Sequence, residues 1–138
     1  MDFESVSANV ELTRPAIVET LFEYANTDNY GEFNMMVNMP DFDVTILKER
    51  NGDGATMMHV NCMNCNDIDI RILKNFGTKF QKRDPIFYLC DYEKKTILDY
   101  TKKNGNKIVK PKIAQFIEDH TFYSTEVLNL TTGAGYKF

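Results

Sequence analysis

The chain of 138 residues is long enough for one compact domain and too short for two ordinary ones. Its 43% hydrophobic and 26% charged residues describe a globular chain, and its net charge of −4 hides a division, with residues 1–49 at −8, 50–115 at +6 and 116–138 at −2. No apolar run nears the ~20 residues of a membrane span, the acidic start lacks a secretory core, and three cysteines make no disulfide framework. The expected compartment is therefore the cytoplasm, with the nucleus as alternative, and no membrane partner is expected.

In chain order, residues 2–10 can form a short first helix. Thr13 then caps a clearer one, with Pro15 in its first turn and Ile17, Val18, Leu21, Phe22 and Ala25 on one stripe. Asn26-Thr27-Asp28-Asn29 stops it. Residues 30–39 form a second short helix with Phe33, Met36 and Val37 inward, ended by Pro40. Asp41 to Glu49 alternates around Phe42, Val44 and Ile46, which predicts an extended or hairpin segment before the turn Asn51-Gly52-Asp53-Gly54.

Thr56 is a plausible N-cap for the next helix, and a break near Asn64–Asn66 separates it from a further one at about 67–76. There Ile68, Ile70, Ile72, Leu73 and Phe76 supply the apolar positions and Gly77 a left-handed stop. Residues 78–91 form a connector whose run Ile86-Phe87-Tyr88-Leu89-Cys90 is expected to be extended. Thr96 opens a short helix through Lys103, closed by Asn104-Gly105. Pro111 opens the last clear one, with Ile113, Ala114, Phe116 and Ile117 inward. Ser124 can cap one more turn in the tail.

The chain repeats itself. Gly54-Ala55-Thr56-Met57-Met58-His59 aligns with Lys94-Lys95-Thr96-Ile97-Leu98-Asp99, and each copy follows an acidic turn, Asn51-Gly52-Asp53 or Asp91-Tyr92-Glu93. Gly54, Thr56, Met58, His59, Ile70, Leu73 and Gly77 resemble the ankyrin repeat, whose pattern runs G-x-T-P-L-H and ends an apolar helix in glycine. Met57 stands for the proline, and Asp99 for the histidine of the second copy. The spacing from Thr56 to Thr96 exceeds the family's ~33 residues, so the connectors are lengthened.

The expected fold is all-α: an ankyrin-like helical repeat solenoid of three to four helix pairs in a single domain, 1–138. Within it, residues 1–29 would be N-terminal capping helices, 30–120 the repeats and 121–138 a C-terminal cap or tail. Helices this short are not stable alone, and stacking would bury a continuous apolar layer between polar ends.

Two clusters invite other chemistry. His59, Cys62, Cys65 and Cys90 carry zinc-ligand types, with His120 as a further ligand, and Cys62-Met63-Asn64-Cys65 is a C-x-x-C. The pair falls at a helix C-terminus, however, where the dipole opposes a thiolate, and the resemblance gives His59 a structural role. The lysines from Lys94 to Lys112 could meet a nucleic-acid backbone, but no aromatic residues interleave with arginine there for base stacking. Neither metal, cofactor nor catalysis is therefore expected.

What the resemblance implies is a non-catalytic protein–protein interaction module, a stand-alone adaptor or competitive inhibitor. A viral or parasite mimic of host NF-κB inhibitors is its most specific form. The partner is expected to be another protein with an acidic surface, met by the concave face. Carried over by position, the loop tips of that face are Arg50, Asn51, Asp53, Tyr92, Glu93 and Lys94. The exposed first-helix positions are Val60, Met63, Asn64, Tyr100, Lys103 and Asn104, with Tyr92, Tyr100 and Met63 as anchors.

Overall fold

A computed structural model describes residues 13–65, 70–101 and 111–121. The helix expected at 2–10, the tail beyond Thr121, and the end of the helix expected to reach Lys103 lie outside the described residues. Those residues are all-helical, with no strand among them, and no described helix is long and apolar enough to cross a membrane. The described residues form six α-helices: α1 (Arg14–Asn26), α2 (Tyr30–Val37), α3 (Met57–Asn64), α4 (Arg71–Lys79), α5 (Ile97–Thr101) and α6 (Pro111–His120).

The helix starts follow from local chemistry. Thr13 Oγ1 accepts from Ala16 N–H at 3.3 Å, and Pro15 sits in the first turn, where no intrahelical acceptor awaits its missing N–H. Thr27 ends α1 through a bond from its N–H to Glu23 C=O, and Asp28 turns the chain with φ of 55°. Asn29 then caps α2 by accepting from Glu32 N–H at 3.3 Å. Leu21, Ala25, Phe33 and Val37 are buried, as their spacing predicts.

Two expectations of extended chain are overturned. Val44–Lys48 and Pro85–Tyr88 are 3-10 turns. The cause is the same in both: a preceding aspartate draws the chain back. Asp43 Oδ1 accepts from Thr45 N–H at 3.0 Å and Asp84 Oδ1 from Ile86 N–H at 2.9 Å, while the next N–H of each turn bonds to the aspartate's own carbonyl. With those donors satisfied locally and no partner strand to pair with, β-branched composition does not decide the conformation. Arg14 braces the first turn from α1, donating to Asp43 at 3.0 Å and to Glu49 at 2.8 Å. Hydrogen bonds from Thr45 and Arg14 hold the Asp43 carboxyl below its usual range.

The helices form two rows. In one, α3 packs between α1 and α5; in the other, α4 packs between α2 and α6; α1 packs on α2 and α3 on α4. Flanked on both sides and backed by α4, α3 has every residue from Met57 to Cys62 buried. Asn61, deep in that helix, donates to the Ala25 carbonyl at 3.1 Å and to Asp28 Oδ1 at 3.0 Å, holding the end of α1. Phe33 of α2 meets Phe76 of α4 with ring centroids 6.0 Å apart. Pro111 begins α6, whose Ile113, Ala114, Phe116 and Ile117 are buried.

Gly77 does not stop α4, which continues to Lys79. It is needed for space instead: a Cβ there would stand 2.6 Å from His120 Nε2. His120 is held in place by its Nδ1–H, which donates to the Phe116 carbonyl at 2.8 Å, and by the Phe87 ring 5.0 Å away. Gly77→Ala should therefore destabilise the fold by about 1 kcal/mol or more, although alanine favours a helix interior. In the His120→Ala background the same change should be neutral or stabilising, and a double-mutant cycle by chemical denaturation reads the coupling.

Candidate interaction surface

Two loops, forty residues apart, are built by the same hydrogen bonds. In the first, Asn51 Oδ1 accepts from Asp53 N–H at 2.8 Å and from Ala55 N–H at 3.0 Å. Its backbone N–H donates to Ala55 C=O, and its C=O accepts from Gly54 N–H, both at 2.9 Å. In the second, Asp91 Oδ1 accepts from Glu93 N–H at 2.9 Å and from Lys95 N–H at 2.8 Å. Asp91 N–H donates to Lys95 C=O, and Lys94 N–H to Asp91 C=O, again at 2.9 Å. A short polar side chain at the mouth of each loop thus satisfies donors that would otherwise face solvent, the usual asset of Asn and Asp in turns.

The fourth residue of each loop is left-handed, Gly54 with φ of 83° and Lys94 with φ of 64°. Glycine is required at the first, because the Tyr92 ring and backbone lie over it: a Cβ on Gly54 would be 2.6 Å from Tyr92 Cδ1 and 2.8 Å from Tyr92 N. The loops are also joined directly. Tyr92 N–H donates to the Asp53 carbonyl at 2.9 Å, and Arg50 Nη1 to the Cys90 carbonyl at 2.9 Å.

Beneath the tips, each loop feeds a capped helix. Thr56 Oγ1 accepts from His59 N–H, while Thr56 N–H donates to His59 Nδ1 at 3.2 Å. Thr96 Oγ1 accepts from Asp99 N–H, while Thr96 N–H donates to Asp99 Oδ2 at 2.9 Å. These are reciprocal capping boxes. A backbone donor on Nδ1 assigns the proton to His59 Nε2, which faces the Lys95 carbonyl of the second loop at 3.2 Å. The His59 ring also meets the Tyr100 ring nearly edge-on, with centroids 4.8 Å apart.

Tyr100 completes the network by donating its hydroxyl to Asp91 Oδ2 at 2.7 Å. Burial opposes charge on Asp91, yet the bonds from Tyr100, Lys95 and Glu93 together hold its carboxyl below the usual range. Burial, with Asp91 alongside, pushes the Tyr100 phenol up.

The twelve residues expected to form the surface therefore separate. Arg50, Asp53, Tyr92, Glu93 and Lys94 are exposed on the joined tips, with Asn51 half-buried as the first loop's hydrogen-bonding centre. Tyr92 is 70% exposed, against 3% for Tyr100 and 8% for Val60. The expectation that Tyr100 and Val60 face a partner is corrected: both occupy the fourth position of a helix in the buried row, and Tyr100 turns its ring inward to reach Asp91. Met63 is half-buried and Asn64 exposed, but they sit at the far end of α3, about 12 Å along its axis from the tips. Lys103 and Asn104 lie outside the described residues.

One part of the surface was not foreseen. Val18 and Phe22 of α1 are only half-buried, and with Arg14, Glu19 and Arg50 they line a hollow of about 590 Å³ beside the first tip. Their helical spacing suits a core stripe equally well, so the signal lay in which edge of the stripe a loop leaves uncovered.

The thiols are differently placed. Cys62 and Cys65 are buried and Cys90 is half-buried, and among the described residues no three His, Cys, Asp or Glu side chains form a group able to hold a metal ion. Burial, then the neighbouring Cys65, pushes the Cys62 thiol well up, away from a reactive thiolate. Of the lysine series, Lys94 and Lys95 are on the second tip and Lys112 on α6, while Lys102, Lys103, Lys107 and Lys110 lie outside the described residues. Comparison with protein-family profiles, with curated proteins and with solved structures finds no match to the chain.

Two outcomes follow from this geometry. Gly54→Ala should cost about 2 kcal/mol or more, since a left-handed non-glycine residue alone costs about 1–2 kcal/mol and Tyr92 must also be displaced. Lys94→Gly should instead add about 0.5–1 kcal/mol, both read as urea midpoints.

His59 sets a pH dependence. Burial lowers its pKa, and the Lys95 and Leu89 carbonyls and Asp91 only partly offset this, while Arg50 adds to it. The unfolded chain therefore takes up a proton more readily than the folded one. The stability is fully present above the unfolded value of about 6.5 and is lost as pH falls through the folded value. His59→Gln should flatten that part of the stability–pH curve relative to wild type.

Proposed function

We propose that this chain is a non-catalytic interaction module: an ankyrin-like stack of helix pairs that binds another protein through its joined loop tips and the adjoining hollow. It would act as an adaptor or as a competitive inhibitor occupying the partner's surface. The observation that carries the reading is Tyr92. A large aromatic ring is left 70% exposed on a tip that four hydrogen bonds and a direct link to the neighbouring loop hold in shape. Rigid exposed aromatics of this kind dominate interface energies.

The recurrence of loop and capping box forty residues apart, and the packing of successive helices side by side in two rows, support the repeat reading. A repeat period longer than the family's ~33 residues is accommodated by the 3-10 turn before each tip. Charges of both signs, Arg50, Asp53, Glu93, Lys94 and Lys95, surround Tyr92 and favour steering and orientation over bulk attraction. A zinc or thiol enzyme is less well supported, because both His59 ring nitrogens already have protein partners and the two C-x-x-C thiols are buried.

Two variants separate binding from folding. Tyr92→Ala should leave the denaturation midpoint within about 1 kcal/mol of wild type and lower recovery of a specifically bound partner about tenfold in quantitative affinity purification. Tyr100→Phe should cost about 1–2 kcal/mol of stability through its lost bond to Asp91 and leave recovery by the folded protein unchanged. Equal partner recovery by wild type and Tyr92→Ala would remove the tips from the interface.

A further inference from the structure

A fully buried titratable side chain sits where the two tips are held together. The His59 ring accepts from Thr56 N–H of the first copy on Nδ1 and meets the Lys95 carbonyl of the second through Nε2, each at 3.2 Å. That carbonyl also closes the second loop, by accepting from Asp91 N–H at 2.9 Å. The second copy solves the same capping problem without an imidazole: Asp99 Oδ2 accepts from Thr96 N–H at 2.9 Å. Only the first copy therefore carries, at this position, a side chain of the type that changes charge near pH ~6.5.

A proton on Nδ1 turns an acceptor into a donor. Thr56 Oγ1, 2.9 Å from Nδ1, can take the new bond, but the Thr56 backbone N–H is then left without its acceptor. The surroundings do little for the cation. Arg50 of the first loop opposes it, and the carboxylate that favours it, Asp91 of the second, already accepts from Tyr100 O–H, Lys95 N–H and Glu93 N–H. Tyr100 of α5 presents a neutral ring nearly edge-on. On the other helices packed against α3, Arg14, Glu19 and Glu23 of α1 and Arg71 and Lys74 of α4 are exposed, while Lys79 donates to Asn38 Oδ1 at 2.9 Å. Burial is left as the main influence on the ring, and it favours the neutral form.

We propose that mild acid parts the two tips, with protonation of His59 as the trigger. The proton enters an open form in which the second loop has moved off the ring, because the closed form keeps the ring from water. This opening costs less than global unfolding, since it releases two surface loops and leaves the helix rows packed. The bonds given up are His59 Nε2–H to the Lys95 carbonyl, Tyr92 N–H to the Asp53 carbonyl and Arg50 to the Cys90 carbonyl. The joined surface that carries Tyr92 then becomes two independent loops. An effect on partner capture rests on the tips being the binding surface; the parting itself does not.

The test is amide hydrogen exchange of the full chain, read by NMR at about pH 7.5 and about pH 5.5 and corrected for intrinsic exchange. The Tyr92 amide, which reports the bond between the tips, should lose protection several-fold in acid. The ceiling is the about tenfold that a ring titrating at about 6.5 in the open form allows. The Phe76 amide, inside α4, should change by less than about twofold, because the helix rows stay packed. His59→Gln, whose amide can accept from the cap and does not titrate, should abolish the loss at Tyr92. His120→Gln, which replaces the chain's other histidine, should leave that loss in place. Unchanged protection of Tyr92 in acid, the same loss in His59→Gln, or a loss at Phe76 in step with Tyr92 would each overturn the proposal. The comparison of the two amides in wild type holds even where a variant fails to fold. Exchange involves no partner, so failure of this device and failure of the binding reading are separately visible.

Discussion

A neutral imidazole at the junction of two loops is what the rest of this structure depends on. His59 receives a backbone N–H on one nitrogen and reaches a backbone carbonyl with the other, and the two belong to different copies of the same local structure. Each bond is modest by itself, but the His59 ring is fully buried, so breaking either leaves a buried ring nitrogen without that partner. Protonation would place a hydrogen on Nδ1, where a donor already points. The junction therefore requires the uncharged ring, and burial supplies it.

From that junction the order spreads through short-range chemistry. Asn51 and Asp91 fold their loops by the same pair of acceptances, and Asp91 needs a second anchor because it carries charge into a largely covered position. Tyr100 provides it. At the corresponding place, forty residues earlier, Val60 suffices, since the neutral amide of Asn51 has no charge to stabilise. The pair Asp91 and Tyr100 can be regarded as one charged substitute for a neutral solution to the same problem.

Much of this was legible in the sequence. Thr13, Thr56 and Thr96 stand at helix starts because a hydroxyl is the local answer to orphan N–H groups, and the stripes of α1 and α6 follow helical spacing. The 3-10 turns were not legible, because Asp43 and Asp84 act through a few local hydrogen bonds that no periodicity reveals, whereas composition there favoured extension. Gly77 was misread for the opposite reason: its role comes from His120 on a helix far along the chain, and no local pattern carries that. Tyr100 was misplaced because exposure at a helix position depends on how many neighbouring helices cover it. The positive balance of residues 50–115, by contrast, is visible where Arg71 and Lys74 on α4 and Lys112 on α6 stand exposed.

The bond from Tyr92 N–H to the Asp53 carbonyl is small in itself, yet it makes one ledge of two loops. Conformational freedom that separate loops would surrender on meeting a ligand has already been lost when the chain folds. If the tips bind as proposed, a visitor to this ledge would encounter a shape fixed in advance, and selectivity would rest on fit and only weakly on adaptation. Such a surface is well suited to one kind of guest and poorly suited to many.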